Sequence, residues 1–385
     1  MKILLTTDTY ENQICGVSTS ISTLKDELIN RGHDVRVLSL SKDNESKIIE
    51  NDYFIESYPL RLIDFRQPLK SNGEIMDEII SWGPDIVHIQ TEWNVGRFGR
   101  KIAEKCNCPY INTSHTFWED FTIGLIPVRF IRNSFSKRLL KNAYKNSSAI
   151  IVPSEKMSLH LQDLSVGLPT HLIPTGLDID KFNRDLSDME KNKLKEELDL
   201  NGSLKILIYL GRVAKEKNLD ELIDFLPDLV SSDERIRLLI VGEGPYLNHL
   251  KSRVKKSTLV DYVRFTGAVQ PDEIYKYYKI GDIFVSPSTC ESQGITYMEA
   301  LASSLPLVCR YDEVLDGVIE DGYNGFTYAT KGEYIRNVLK ILDDDELHAQ
   351  LRGNAFKSSF PFSKDKFGEE IERVYSNLVG NDLKL

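Results

Sequence analysis

Short apolar runs rich in β-branched residues alternate along this chain with longer segments of helical periodicity. The alternation is typical of parallel strands joined by crossover helices, so it predicts an α/β fold built from doubly wound sheets. In the first helical segment Ile21, Leu24 and Leu28 lie on one face, and Gly32 follows. The pattern occurs twice, with strands predicted at 2–6, 35–40, 85–89, 110–113, 149–152 and 171–173, and at 205–210, 236–241, 263–265, 283–285, 307–308 and 326–328.

A polar segment at 184–203, rich in Asp, Glu, Lys and Asn, separates the two halves. The length of 385 residues is ample for two separate cores. We therefore predict Rossmann-like domains at 1–183 and 184–362, followed by a helix at 363–385 that could cross back to the N-terminal domain. Two such domains would face each other across a cleft, where ligands meet the carboxyl ends of the strands.

The charge balance excludes one broad class of function. The chain carries 48 Lys and Arg against 58 Asp and Glu, a net charge of −10, whereas nonspecific binding to nucleic acid needs a positive surface.

Five cysteines without framework spacing indicate free thiols in a reducing, cytoplasmic compartment. No segment approaches the roughly 18 consecutive apolar residues of a membrane-spanning helix, so any membrane contact is expected to be peripheral. The oligomeric state stays open.

The most informative stretch is a polar loop that follows the strand predicted at 283–285 and leads into a helix. Ser292 is placed to cap a helix beginning near Gln293. Unpaired amides at the positive end of such a helix would bind a phosphate. The amides concerned are those of Gly294, Ile295 and Thr296.

Two carboxylates flank this helix start. Glu291 precedes the helix and Glu299 lies inside it, about 12 Å further along by helical rise. Carboxylates so far apart could hold different parts of an extended ligand such as a sugar nucleotide. The alternative is a solvated loop acid and a helix acid stabilised by the helix dipole.

Basic residues follow the strand predicted at 205–210. Gly211 ends that strand, and Arg212 and Lys217 come next. Cations at the carboxyl edge of a sheet can neutralise a diphosphate leaving group. The alternative is an ordinary solvated loop.

Two further residues point towards the predicted cleft. Gly16 lies in the turn after the first strand, where it allows close backbone approach to a ligand, although the Gly-x-Gly-x-x-Gly pattern is missing. His115 follows the strand predicted at 110–113, and the alternative interpretation is that it is a structural histidine.

No metal site is predicted. Asp178-Ile-Asp180 is interpreted as a capping or hinge segment, and Cys106-x-Cys108 lacks the spacing of a zinc site.

Residues 121–154 contain no acidic side chain, a local reversal in an acidic protein. A basic helix here could lie against anionic lipid headgroups, preceded by Trp118 in an apolar stretch that could admit an acceptor. The alternative is a surface helix whose apolar side faces the domain core. The six cations are Arg129, Arg132, Lys137, Arg138, Lys141 and Lys145.

Together these motifs resemble the retaining glycosyltransferases of family 4, which have the GT-B architecture. Within that family the chain looks most like bacterial diacylglycerol α-glucosyltransferases, although Cys15 stands where they usually carry Asn and Gln90 replaces a common His. The resemblance rests on Asp8-Thr9-Tyr10, the Gly16-Val17-Ser18 turn, residues 84–88, 114–116 with Glu119-Asp120, 174–178, Gly211-Arg212 with Lys217, 241–245, 265–267 and 291–299.

The resemblance implies a metal-independent hexosyltransferase that needs no cofactor besides its nucleotide-sugar donor. It would move glucose from UDP-glucose to a diacylglycerol-type lipid at the inner face of the cell membrane. In the family pattern, His115, Glu291, Arg212 and Lys217 carry catalysis. The implied donor site comprises Gly16, Arg212, Lys217, Glu291, Ser292, Gln293, Gly294, Ile295, Thr296 and Glu299, with Glu291 on the sugar, Glu299 on the ribose and the two cations on the diphosphate.

Other functions stay open at this point. A family 4 hexosyl- or N-acetylhexosaminyltransferase could act on a polysaccharide, polyprenyl-linked, teichoic acid or protein acceptor. A non-catalytic GT-B-like binding subunit and a nucleotide-sugar epimerase are the alternatives of other classes.

Overall fold

The computed structural model describes residues 1–10, 16–43, 45–59, 66–68, 73–117, 129–165 and 167–382. The chain divides into two compact units: the first is Met1–Gly176 with Lys364–Leu385, and the second is Leu177–Ser363. The division falls at Leu177 rather than at residue 184, because Leu177 and Phe182 pack in the hydrophobic core of the second unit. The C-terminal helix belongs to the first unit.

The described strands of the first unit form a mostly parallel sheet in the order β10-β9-β8-β7-β1-β2-β4-β3, in which only β3 pairs antiparallel, and a small antiparallel β5-β6 ribbon. The strands are β1 (Lys2–Thr6), β2 (Asp34–Leu40), β3 (Lys47–Ile49), β4 (Asp52–Ile55), β5 (Ser57–Pro59), β6 (Arg66–Pro68), β7 (Ile86–Ile89), β8 (Tyr110–Thr113), β9 (Ala149–Val152) and β10 (Thr170–Leu172).

Helices pack around this sheet. The C-terminal helix contributes Phe367, Ile371 and Tyr375 to the same core as Ile21 and Leu24 of the first helix. Described helices of the first unit are Gly16–Asn30, Gly73–Trp82, Asn94–Cys106, Arg129–Tyr144, Glu155–Asp163 and Lys364–Asp382.

The second unit has a six-stranded parallel sheet in the order β13-β12-β11-β14-β15-β16. Its strands are β11 (Lys205–Leu210), β12 (Ile236–Val241), β13 (Val263–Gly267), β14 (Ile283–Ser286), β15 (Leu307–Arg310) and β16 (Gly325–Tyr328). Its helices are Ile179–Asn183, Asp188–Glu197, Asp220–Ser232, Leu247–Lys255, Ile274–Tyr278, Ile295–Ala302, Lys331–Leu342 and Asp345–Ser358, with 3-10 turns at Lys215–Lys217, Glu313–Leu315 and Phe360–Phe362.

The strand orders confirm the predicted doubly wound α/β fold and locate a switch point in each sheet. In the second unit the chain runs outward from β11 to β13 and returns to β14 on the other side of β11. In the first unit β1 and β7 have the same relation. Since ligands of open parallel sheets bind at the carboxyl ends of strands beside the switch point, each unit has one favoured site of its own.

Candidate functional site

The loops after β11 and β12 pack closely against each other where Gly211 meets Gly242. Gly242 has a φ of +137°, and a Cβ placed on it would lie 2.0 Å from the carbonyl oxygen of Gly211. Val213 N–H donates to the Glu243 carbonyl at 2.8 Å, which fixes the backbone of the loop that carries the predicted cations. Close packing of two backbones therefore positions the end of β11.

We predict that Gly242→Ala destabilises the second unit by roughly 2–4 kcal/mol, because both the backbone conformation and the available space exclude a methyl group. Gly332→Ala is the matched control, since a Cβ at Gly332 meets no atom within 4 Å and the residue lies in a helix. The control should change stability by less than about 1 kcal/mol. Thermal unfolding followed by circular dichroism compares the two variants, and equal melting temperatures would contradict the prediction.

The structure brings two of the predicted site residues into direct contact. Lys217 Nζ lies 2.6 Å from Glu291 Oε1, although 74 positions separate the residues in sequence. The contact forms because β11 and β14 are neighbours, so their following loops share one edge of the sheet. Burial opposes the charge of Lys217, but attraction to Glu291 outweighs it and leaves the pKa of Lys217 raised. A cation and a carboxylate thus sit together at the switch point.

Hydrogen bonds position this pair. The Ser288 hydroxyl is fully buried and donates to Glu291 Oε1 at 2.8 Å. Cys290 Sγ donates to the carbonyl oxygen of Glu216 at 3.4 Å, which joins the two loops. Arg212 behaves differently, since its exposed guanidinium pairs with Glu216 rather than with Glu291.

The helix predicted to begin near Gln293 begins two residues later, at Ile295, so the capping role predicted for Ser292 is wrong. Gly294 is the N-cap, with a φ of +74°, and a Cβ there would lie 2.4 Å from the Tyr297 ring. This left-handed residue turns the loop sharply into the helix. The first N–H groups of the helix, from Ile295 and Thr296, have no carbonyl in a preceding turn.

Glu299 lies inside that helix and is buried. Its carboxylate accepts a hydrogen bond from the Tyr278 hydroxyl at 2.7 Å. Burial raises the pKa of Glu299 to about 7, although the Tyr278 bond and the charge of Lys181 act against the increase. The carboxyl group therefore titrates close to neutral pH.

In the first unit, Asp8 and Thr91 follow the switch-point strands β1 and β7. Thr91 Oγ1 donates to Asp8 Oδ2 at 2.6 Å, and Val95 N–H donates to Oδ1 at 3.3 Å. Asp8 thus caps the helix Asn94–Cys106, whose N-cap residue Trp93 makes no side-chain cap bond. Burial raises the pKa of Asp8 to about 6.

His115 follows β8 as predicted, and its Nε2 lies 2.8 Å from Gln90 Oε1, to which it donates as a neutral ring. Burial lowers the pKa of His115 to about 4, so the imidazole is uncharged at neutral pH. His88 lies deeper, within 2.6 Å of both Tyr375 Oη and Thr113 Oγ1. His88 therefore holds the C-terminal helix against the sheet.

The predicted basic surface is partly described. Leu140, Ala143 and Tyr144 of helix Arg129–Tyr144 are buried in a hydrophobic cluster, whereas Arg138 and Lys141 are exposed. Lys145 follows the helix and is exposed, and Lys137 is half-buried. The apolar side of the helix faces the unit's own core, as in the alternative interpretation of the sequence. The side of the helix that is exposed to solvent therefore carries basic rather than apolar residues.

Some predicted positions lie outside the described part of the structure. These are Trp118 and the side chains of Arg129 and Arg132. Residues 11–15, including Cys15, are also outside it, and Gly16 begins the helix Gly16–Asn30. Within the described ranges, none of the helices has both the length and the apolar character needed to span a bilayer.

Sequence reasoning missed Ser288 and Tyr278 as partners of the two carboxylates. The spacing of Ser288, three residues before Glu291, is a usable local signal for a hydroxyl–carboxylate contact. Tyr278 reaches Glu299 from a different helix, so no local pattern indicates that bond. Asp178 does cap the helix Ile179–Asn183, as interpreted from sequence.

Comparison with known families gives two matches that cover successive parts of the chain. Residues 14–181 match the profile described as Glycosyltransferase Family 4, and residues 190–358 match Glycosyl transferases group 1. The alpha-monoglucosyldiacylglycerol synthase of Streptococcus pneumoniae is 31% identical over 98% of this chain and 86% of its own length. That of Acholeplasma laidlawii is 31% identical over 100% of this chain and 99% of its own length.

Solved structures share the fold. Anabaena HepE in complex with UDP has a TM-score of 0.76 at 18% identity, covering 98% of this chain and 100% of its own. Sucrose-phosphate synthase from Thermosynechococcus elongatus has a TM-score of 0.79 at 18% identity, covering 99% of each chain. At this identity the likeness concerns the architecture alone.

Proposed function

The chain belongs to glycosyltransferase family 4, and we propose that it transfers glucose from UDP-glucose to a diacylglycerol-type lipid with retention of the α configuration. The observation that carries the proposal is the Lys217–Glu291 pair at the switch point of the second unit. It sets a cation for the diphosphate beside a carboxylate for the sugar hydroxyls. The lipid acceptor is supported by the two synthases that are similar over nearly the whole chain.

In the proposed reaction the bond between the sugar C1 and the diphosphate breaks as the acceptor oxygen bonds to C1 on the same face. The acceptor proton passes to the departing phosphate oxygen. Lys217, Arg212 and the amides of Ile295 and Thr296 stabilise the leaving charge, with Arg212 exchanging Glu216 for phosphate. These groups supply positive charge without a metal ion, so we propose a metal-independent reaction. The preceding Ser292, Gln293 and Gly294 complete the loop around the donor.

The first unit would hold the acceptor. His115 is proposed to line the reaction centre as a neutral ring held by Gln90. Arg138, Lys141 and Lys145 present cations that would bring the protein to an anionic bilayer as a peripheral protein of the inner membrane face. Each cation near such a surface contributes on the order of 1 kcal/mol.

Incubation with radiolabelled UDP-glucose and diacylglycerol in mixed micelles tests the proposal. We expect label in an α-glucosyl lipid, identified by its anomeric proton coupling, at an undiminished rate in EDTA. Label in soluble glycan or protein acceptors alone would refute the lipid acceptor. An epimerised sugar product formed in the absence of any acceptor would indicate a nucleotide-sugar epimerase. Absence of any turnover by the purified chain would favour a non-catalytic binding subunit.

The pKa of Glu299 predicts a pH dependence for donor binding. A carboxylate accepts both ribose hydroxyls, whereas its protonated form must donate one hydrogen bond. Because the pKa is about 7, the ionised fraction rises between pH 6 and pH 8. UDP-glucose affinity should therefore increase up to about tenfold over this range, measured by calorimetry without acceptor. Glu299→Gln should bind weakly with a flat profile, and an equally steep profile in that variant would assign the titration to another group.

A further inference from the structure

A pocket of about 260 Å³ lies in the first unit between the helices Asn94–Cys106 and Arg129–Tyr144. Arg97 and Arg100 of the first helix and Arg138 of the second line it together. Its wall also includes the indole of Trp93 and the side chain of Leu139. The pocket is therefore a concave site with three guanidinium groups and an apolar side.

The lining of this pocket carries more cations than acids. Within the described ranges, none of the three arginines forms an ion pair. Glu92 is the one acid in the lining, and its Oε1 accepts the Tyr144 hydroxyl at 2.7 Å. Three cations against one carboxylate leave a net positive pocket in a protein whose total charge is −10.

The three arginine side chains differ in how firmly the protein holds them. Arg100 is half-buried, and its Nη1 donates to the Ala143 carbonyl at 3.2 Å, so it is fixed in the wall. Burial lowers the pKa of Arg100 and repulsion from the charge of Arg97 acts in the same direction, whereas Tyr110 and Glu104 act against both. Arg97 and Arg138 are exposed and can turn towards a ligand. An anion between these groups would relieve the repulsion.

We propose that this pocket binds a phosphate ester. Guanidinium groups match phosphate oxygens with paired N–H donors, and three of them converge here. The carbon part of the ester would lie against Trp93 and Leu139, which gives the pocket selectivity over inorganic phosphate. The ester comes either from a small soluble metabolite or from a phospholipid headgroup. The pocket shares Arg138 with the cations proposed to meet the bilayer, but none of its residues belongs to the proposed donor site, so ester binding can be measured apart from glucosyl transfer.

Calorimetric titration of the full chain with glycerol 3-phosphate tests the soluble source. Arg97→Gln and Arg138→Gln remove one charge each from exposed positions and should each weaken binding about tenfold or more. Lys141→Gln is the matched control, because it removes one charge from the same helix outside the pocket lining and should change binding less than twofold. Arg138→Lys keeps the charge but loses the paired donors, so it should recover only part of the affinity.

Flotation with vesicles tests the lipid source, using phosphatidylcholine alone and with 30 mol% phosphatidylglycerol. A greater loss of binding in Arg97→Gln and Arg138→Gln than in Lys141→Gln would assign the pocket to phospholipid headgroups. Pocket-dependent binding of glycerol 3-phosphate alone would assign it to soluble esters. If neither ligand distinguishes the arginine variants from Lys141→Gln, the phosphate site is refuted, whatever the result for glucosyl transfer.

Discussion

Glu291→Gln should lower kcat at least about 100-fold while the affinity for UDP stays within about threefold of the wild-type value. The substitution keeps the size of the side chain but removes the charge that is proposed to hold the sugar hydroxyls as positive charge develops on the ring. UDP lacks the sugar, so its binding does not use that contact. Steady-state kinetics with UDP-glucose and calorimetry with UDP measure the two quantities separately.

Glu216→Gln is the matched control for this change. Glu216 is an exposed acid on the neighbouring loop, and its carboxylate pairs with Arg212. Its loss should change kcat by less than about threefold, because the proposed contact with the sugar is absent. Full activity in Glu291→Gln would remove the carboxylate from the sugar site, and a parallel loss of UDP affinity would place it on the nucleotide instead.

Most of the fold could be predicted because its strands are long or strongly apolar. All twelve predicted strands exist, and five of them, including β1 and β11, have the predicted bounds at both ends. The strand Asp34–Leu40 begins one residue earlier than predicted. The strands β3 to β6 were not predicted, since each has only three or four residues and none has a clear alternating pattern. Their pairing depends on the neighbouring strands, as in the contact of β4 with β2.

The sequence indicates the candidate site residues one by one, but it does not indicate how they are arranged. The sequence indicates Glu291 and Lys217 separately, whereas their contact depends on β11 and β14 being neighbours. The start of the following helix was misplaced because Ser292 is a good capping residue, while the observed start needs the left-handed backbone of Gly294. Local preference identifies the residue types, and the strand order decides which of them meet.

The arginine pocket illustrates the same limit. The absence of acids from 121–154 indicates a basic region, and Arg138 is part of it. Arg97 and Arg100 belong to the helix Asn94–Cys106, which begins 35 residues before the helix that carries Arg138, and no local pattern relates them to Arg138. Only the packing of the two helices collects the three groups around one cavity.

Lys217→Ala should impair both turnover and nucleotide binding. We expect kcat/KM to fall about 1000-fold and UDP affinity to fall at least about tenfold, because the diphosphate loses a half-buried cation. The variant also leaves the Glu291 carboxylate, whose side chain is 21% exposed, without its counter-charge and next to the incoming phosphates. Both effects act against binding of the anionic donor, so this variant should be more damaged than Glu291→Gln in every measurement with UDP.

Lys215→Ala provides the matched control, since Lys215 is exposed in the same 3-10 turn and has the same charge. Its removal should change UDP affinity less than about twofold at physiological salt, because exposed charges are screened. Lys217→Arg should retain part of the affinity, as a cation of different shape remains at the switch point. If Lys217→Ala and Lys215→Ala bind UDP equally, the diphosphate is not held at the β11 edge, and the Lys217–Glu291 pair is a structural link between two loops.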